Sequence, residues 1–429
     1  LLLEGKDLIG QSKTGSGKTV AFSLPILERL DPESQTLSAL VLSPTRELSA
    51  QVARELRTLG RKYAGLRVVT VTGGEPVSAQ RRALEGGAHI AVGTPGRVLD
   101  LVKREAIDLR KVTTVVLDEA DRMLEMGFED DMKAILGALS KKRQTVLFSA
   151  TFPDAIETMS RSYQRDPVRV TIDSEEDDLA ITELAYTTSS NDKPRVLLDA
   201  LHVHDHESAL VFCNQKATVD AVAQTLSRAG FSVDRLHGDL EQHDRDRVMA
   251  KFRNRSVRVL VATDVAARGL DVDDLELVVN VDLPNQPEIY VHRIGRTGRA
   301  GKSGTAISLV APSDEARLRA IEESTTRPVK RLAAVPRREV QTGEKPRTRA
   351  ASMVTLYVAG GRKDKVRPGD ILGALTGEAG GFPGTSIGKI EIHDHFTYVA
   401  VEKSIAKAAA KNLSEGRIKG RKFRAGIAE

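Results

Sequence analysis

The chain is 429 residues long with a mass of 46.6 kDa, more than one compact core usually holds, so two or three domains are expected. Hydrophobic residues make up 40% of it, ample for folded domains, yet no run approaches the ~20 apolar residues that span a bilayer; the single cysteine, Cys213, excludes an internal disulfide or a multi-cysteine zinc site and fits a reducing, cytoplasmic setting. The net charge of +5 is uneven: residues 1–326 carry 43 Lys/Arg against 49 Asp/Glu, 327–349 carry 8 against 2, and 351–429 carry 13 against 8, a basic end suited to a polyanion or to a solvated tether.

Leu1-Leu2-Leu3-Glu4-Gly5-Lys6 has neither an initiator Met nor a signal pattern and reads as the middle of an element, so upstream sequence is expected. A strand over Asp7–Gly10 then leads into Ser12-Lys13-Thr14-Gly15-Ser16-Gly17-Lys18-Thr19 and an apolar helix beginning at Val20. The glycines permit a tight turn whose amides converge on phosphate oxygens at a helix N-terminus. Lys13 to Thr19 therefore read as an ATP cradle, with Lys18 reaching the β/γ phosphates and Thr19 ligating Mg²⁺.

Strands at Ala39–Ser43, Arg67–Thr72, His89–Val92, Thr114–Leu117 and Thr145–Phe148 alternate with amphipathic stretches such as Arg46–Tyr63 and Phe128–Leu139. That rhythm predicts an α/β domain over 1–173 with a parallel sheet. Asp118 and Glu119 close a buried strand; Asp118 suits Mg²⁺ held through water and Glu119 suits accepting a proton from attacking water, although acidic groups at such a junction also cap helices.

Ser174-Glu175-Glu176-Asp177-Asp178 reads as a linker to a second α/β domain at 181–325, with strands Ala209–Phe212, Ser232–Leu236, Arg258–Ala262, Leu277–Asn280 and Gly304–Leu309. Its run His292-Arg293-Ile294-Gly295-Arg296-Thr297-Gly298-Arg299 offers Arg296 and Arg299 to a γ-phosphate, with His292 and Arg293 tying nucleotide state to the neighbouring domain; taken alone, the run would also suit RNA. Residues 327–350 read as a basic tether. Beyond it, 351–429 shows strand Val354–Val358, helix Pro368–Leu375, strands Ile387–Ile392 and Tyr398–Val401, helix Ser404–Leu413 and a last strand Lys422–Ala425. That βαββαβ order is an RRM-like α+β plan.

The residues now carry a family likeness. Asp118-Glu119-Ala120-Asp121 matches the signature of DEAD-box RNA helicases, so the two α/β domains are expected to be RecA-like. Pro44-Thr45-Arg46-Glu47-Leu48, Gly73-Gly74 and Thr94-Pro95-Gly96-Arg97 resemble that family's first-domain RNA contacts, and Ser149-Ala150-Thr151 its link between hydrolysis and unwinding. In the second domain Phe212, Gln242 with Arg245, and Thr263-Asp264-Val265-Ala266-Ala267-Arg268-Gly269-Leu270-Asp271 resemble family motifs; the resemblance implies ribose or interdomain contacts for Asp264 and Asp271, and RNA contacts for Arg268 and Gly269. The family's upstream Phe and Gln-containing adenine reader is expected to precede Leu1, and Ser12 stands where the family usually has Ala.

The third domain resembles the RNA-binding tail of the DbpA family through Gly360-Gly361-Arg362-Lys363, Arg367–Leu375, Ile387–Ile390, Tyr398–Val401 and Ile418–Arg421. The resemblance implies an ATP- and Mg²⁺-dependent RNA helicase that binds 23S ribosomal RNA and pre-50S particles, with no membrane and no obligate protein partner. A broader cold-shock or RNA-decay helicase, and an ATP-gated RNA clamp or scaffold, are the competing readings. Tyr357, Phe396 and Tyr398 can stack bases or fill a core, whereas Lys363, Lys365, Arg367, Lys389, Lys419, Arg421 and Lys422 suit phosphate.

Overall fold

The computed structural model describes residues 1–12, 17–152, 154–172, 181–204, 206–267, 275–298, 303–333, 335, 351–377 and 380–428. The chain divides into two units near residue 177, the first built on one parallel sheet and the second on a parallel sheet plus a smaller antiparallel one.

In the first unit the strands are β1 (Leu8–Gln11), β2 (Ala39–Leu42), β3 (Val68–Val71), β4 (Ile90–Gly93), β5 (Thr114–Leu117), β6 (Gln144–Ser149) and β7 (Val168–Thr171). They lie in the order β3-β4-β2-β5-β6-β1-β7, every pair parallel. Successive side chains on a strand point to opposite faces. Leu40, Leu42, Val115 and Leu117 therefore enter one core, while Val41, Val92, Val116 and Val146 enter the other. Helices cover both: α1 (Lys18–Glu28) and α2 (Arg46–Leu59) bury Phe22, Leu27, Val52 and Leu56 on the second face. On the first face lie α3 (Val77–Glu85), α4 (Pro95–Lys103) and α5 (Ala120–Glu125).

Strand order sorts the functional loops before any side chain is considered. In open α/β sheets, ligands bind beyond the carboxyl ends of the strands. Here β1, β6 and β5 are neighbours and end at the phosphate loop, Ser149 and Asp118. Next to them β2, β4 and β3 end at Pro44, Thr94 and Thr72. The segments expected to hold nucleotide and those expected to hold RNA thus occupy adjoining stretches of one sheet edge.

The second parallel sheet runs β10-β11-β9-β12-β13-β8-β14. Its strands are β8 (Ile181–Thr187), β9 (Ala209–Phe212), β10 (Val233–Leu236), β11 (Val259–Ala262), β12 (Leu277–Asn280), β13 (Gly304–Val310) and β14 (Lys330–Leu332). Three strands escaped the sequence reading: β7, β8 and β14. The last corrects the extent of the tether, because Lys330–Leu332 pairs in parallel with β8 and Val335 joins the core. Residues 334 and 336–350 lie outside the described residues.

The third sheet, antiparallel in the order β16-β17-β15-β18, comprises β15 (Met353–Val358), β16 (Ile387–Ile392), β17 (Thr397–Glu402) and β18 (Ala425–Ile427). The final strand lies a little beyond the expected Lys422–Ala425. Val354, Leu356, Val358, Val399 and Val401 point toward helices Pro368–Thr376 and Ala406–Glu415 to form the core. The alternate residues form a face that packs on the second lobe. Tyr398 is fully buried with Ala250 of helix Gln242–Arg253, and Tyr357 and Phe396 pack beside them. His243 meets Phe396 edge-on at 6.1 Å, the Thr355 hydroxyl lies 2.6 Å from that of Ser256, and Arg253 holds Glu391 through two bonds of 2.9 and 2.7 Å. Of the two readings of these aromatic residues, the structure supports burial, but against a neighbouring domain rather than within the tail's own core.

Candidate active site

Lys18 opens α1 and donates from Nζ to the Ser12 carbonyl at 2.9 Å. Gly17 leads into that helix at φ 82°, and a Cβ there would meet nothing within 4 Å. Backbone conformation, not space, therefore requires glycine at this point. Thr19 follows, half-buried. Lys13, Thr14, Gly15 and Ser16 lie outside the described residues.

The Ser12 amide donates to Ser149 O at 3.3 Å, and the Asp118 amide to Leu42 O at 2.9 Å. Asp118 is buried. Burial first, and then the neighbouring Glu119 carboxylate, push its carboxyl up to about 7, against the opposing pull of Lys18. Two adjacent carboxylates, one of them buried and only partly balanced by a lysine, suit a hydrated divalent cation. Among the described residues no cluster of three or more His, Cys, Asp or Glu could hold a metal. Glu119 itself sits at φ 54°, ψ 54°, a left-handed backbone that a non-glycine residue adopts only when its surroundings impose it.

The surroundings include Asp121, to which the sequence reading gave no role of its own. Its Oδ2 accepts from Ala150 N at 3.1 Å, Thr151 N at 2.9 Å and Thr151 Oγ1 at 3.0 Å. Its amide donates to Ser149 Oγ at 3.2 Å, and that hydroxyl donates on to Thr151 O at 2.6 Å. The carboxylate strand end and the Ser149-Ala150-Thr151 segment are thus locked through one buried side chain. Its place as the fourth residue of the acidic signature was the available clue.

On the adjoining strand ends, Thr45 Oγ1 accepts from Leu48 N at 3.2 Å, capping α2 directly after Pro44. Arg46 lies against Gly73 and Gly74: a Cβ on Gly74 would come within 2.0 Å of its Nη1, and Gly74 has φ 83°. Thr94, Pro95, Gly96 and Arg97 form the start of α4, where Pro95 fills the first helical position that lacks a partner for its N–H. The structure brings all these residues together.

In the second lobe, Arg293 is buried and makes five hydrogen bonds. Nε and Nη2 grip Asp264 at 2.6 and 2.7 Å, Nη2 reaches Asn214 Oδ1 at 2.9 Å, and Nη1 reaches Asn280 Oδ1 at 3.0 Å and Asp282 O at 2.6 Å. The guanidinium lies 4.9 Å over the Phe212 ring. Asn214 and Asn280, missed in the sequence, complete this buried hub. His292 and Arg296 flank it at the end of helix Pro287–Ile294. Gln242 donates to Asp246 at 2.9 Å, Arg245 to Ala266 O at 3.4 Å, and Thr263 N to Leu236 O at 3.2 Å. Arg268, Gly269, Asp271 and Arg299 lie outside the described residues.

In the third domain Lys419 donates to Lys365 O at 3.1 Å and lies 3.7 Å from Asp370, whose carboxylate accepts from Arg367 N at 2.8 Å. Lys363 lies 3.1 Å from His395. Arg421 pairs through its backbone with Ile418. Lys365, Arg367 and Lys419 therefore share one end of the domain. Lys389 does not join them; it pairs with Glu391 at 3.2 Å, beside the docked face.

The family DEAD/DEAH box helicase matches residues 1–159, Helicase conserved C-terminal domain 192–301, and DbpA RNA binding domain 355–426. The chain is 47% identical over 423 residues to the ATP-dependent RNA helicase DbpA of Escherichia coli (strain K12), covering 99% of this chain and 91% of that protein. It is 43% identical over 331 residues to the DEAD-box ATP-dependent RNA helicase CshA of Bacillus subtilis (strain 168), covering 77% of this chain and 67% of that one. Among solved structures, S. cerevisiae Dbp5 bound to RNA and ADP BeF3 is 34% identical with a TM-score of 0.68, covering 76% of this chain and 85% of that one. Near-complete alignment to one such enzyme, together with the three family matches in order along the chain, means that the chain belongs to the DbpA family of DEAD-box ATP-dependent RNA helicases.

Proposed function

We propose that the first lobe binds Mg²⁺–ATP through Lys13 to Thr19 and Asp118, with Glu119 as the base that takes the proton from the attacking water. The metal would neutralise phosphate charge and orient the γ-phosphate. Lys18 leaves the Ser12 carbonyl for phosphate oxygens. Arg296 and Arg299 supply positive charge to the transition state, and Asp264 and Asp271 serve the ribose and the interdomain contacts. Ser149, Thr151, His292 and Arg293 transmit nucleotide state. RNA backbone is held by Pro44, Thr45, Arg46, Gly73, Gly74, Thr94 to Arg97, Gln242, Arg245, Thr263, Arg268 and Gly269. The observation that carries this reading is the Asp121 lock, which ties the carboxylate strand end to the coupling segment by three bonds from Ala150 and Thr151.

The third domain directs this motor to 23S ribosomal RNA in large-subunit assembly, in the cytoplasm. Its base-stacking face being occupied by the second lobe, Lys363, Lys365, Arg367, Lys419 and Arg421 at its loop end are the RNA contacts. Two measurements test the reading. Lys18→Ala is expected to abolish strand displacement, and a variant that unwinds as well as the parent removes the motor assignment. ATPase stimulation is expected to be stronger with a 23S fragment than with unrelated RNA; equal stimulation removes the ribosomal specificity alone.

A further inference from the structure

Helix α3 has one fully buried residue, and it is polar: Gln80, 2% exposed. Its Nε2 donates to Thr72 O at 2.7 Å, and its Oε1 accepts from Arg97 Nη1 at 2.9 Å. The same Arg97 nitrogen also donates to Glu75 O at 2.9 Å. Thr72 and Glu75 bracket Gly73-Gly74, which lies against the Arg46 guanidinium. One amide thus links the loop at the end of β3 to the arginine at the start of α4, and the loop in turn presses on the start of α2.

We propose that Gln80 is a positioning residue for RNA, holding Arg97 and the Gly73-Gly74 loop at the spacing of a single-strand backbone. This rests on the assignment of those residues to RNA in the preceding subsection. An amide suits the task because it donates and accepts at once. Glutamate accepts but cannot donate to the Thr72 carbonyl, and methionine, of similar shape, cannot donate and accepts only weakly. The Arg97 side chain is mostly buried, its guanidinium is anchored at Gln80 and the Glu75 carbonyl, and its Nε lies 4.0 Å from Asp100, so its remaining N–H groups are presented in a fixed direction rather than sampled.

The test is a fluorescence-anisotropy titration of labelled polyuridylate with the full-length protein and a non-hydrolysable ATP analogue. Gln80→Met is expected to weaken binding about tenfold, the scale of a lost hydrogen bond to a charged group. Gln80→Glu, which keeps the Arg97 acceptor, is expected to lose less. In an Arg97→Ala background, Gln80→Met should add almost nothing, a result that general loss of packing would not produce. Unchanged affinity in Gln80→Met while Arg97→Ala weakens binding overturns the proposal and leaves the RNA assignment intact. Unchanged affinity in Arg97→Ala overturns the RNA assignment itself. If Gln80→Met fails to fold, the parent decides: its Gln80 side-chain amide NMR signals are expected to shift on adding polyuridylate, and signals that stay fixed at saturation overturn the proposal.

Discussion

Arg293 engages five acceptor positions from two strand ends and the first residue of a motif helix, with its guanidinium over an aromatic ring. Planar fork geometry makes this possible, and lysine cannot reproduce it. Arg293→Lys is expected to destabilise the protein by on the order of 3 kcal/mol, because buried acceptors including Asp264 lose their partners. Urea denaturation checks this, and a loss below about 1 kcal/mol would contradict the hub. At Asp118 the sign reverses. Burial disfavours its carboxylate, so Asp118→Asn is expected to raise metal-free stability at pH 8 by about 1–3 kcal/mol while eliminating Mg²⁺-dependent ATP hydrolysis. A lower melting temperature in the metal-free variant would count against that account. Residues such as Asp118 and Lys18 were legible because their chemistry sits in a short string with a strand before it and a helix after it. Gln80, Asn214 and Asn280 were not. Their partners lie 8 to 79 positions away along the chain, and no local pattern marks a polar side chain whose role is to be buried.

Among elements, the buried parallel strands announced themselves as short apolar runs such as Val115-Val116-Leu117. The missed ones lie toward the sheet margins. In β7, Val168-Arg169-Val170-Thr171 alternates between half-buried and exposed, and β14 is three residues, two of them basic, in a stretch whose composition resembles a tether. Pairing with β8, not composition, makes β14 a strand. The docked face of the third sheet was also only half readable: period-two spacing placed Phe396 and Tyr398 on one side, but not what that side would meet. Its ion pair gives a pH test. Burial works to raise the Glu391 carboxyl, but Arg253 and Lys389 hold it below its ordinary value of 4.5. A carboxyl depressed in the folded state stabilises above its unfolded value, and that contribution is lost as pH falls through the folded one. The stability difference between the parent and Glu391→Gln is therefore expected to be present at pH 7 and to shrink below about pH 4.5. A difference that grows on acidification would contradict the pairing. Arg253→Ala, which leaves that carboxylate with Lys389 alone, is expected to cost about 2 kcal/mol by chemical denaturation.

At the scale of the molecule, two parallel sheets follow one plan: the segments proposed to hold nucleotide and RNA leave from the carboxyl ends of neighbouring strands. Sequence rhythm was enough to place both, because each βα unit repeats the same apolar signature. The third domain was legible as an element order. Its seat was not, since an interface between domains of one chain leaves no periodic trace. Truncation after residue 350 is expected to leave ATPase stimulation by generic RNA while removing any preference for a 23S fragment. A truncated protein that still discriminates would move specificity into the lobes.

Tyr398 lies wholly covered beneath Ala250. Because of that seat, the address label on this enzyme is glued on rather than tied on. An engineer who swaps in another reader of RNA, preserving only the connecting segment, would leave a greasy scar on the motor and an unaimed cargo. Transplants should succeed only when the new module brings a matching underside, with an acid opposite Arg253 and a ring for His243.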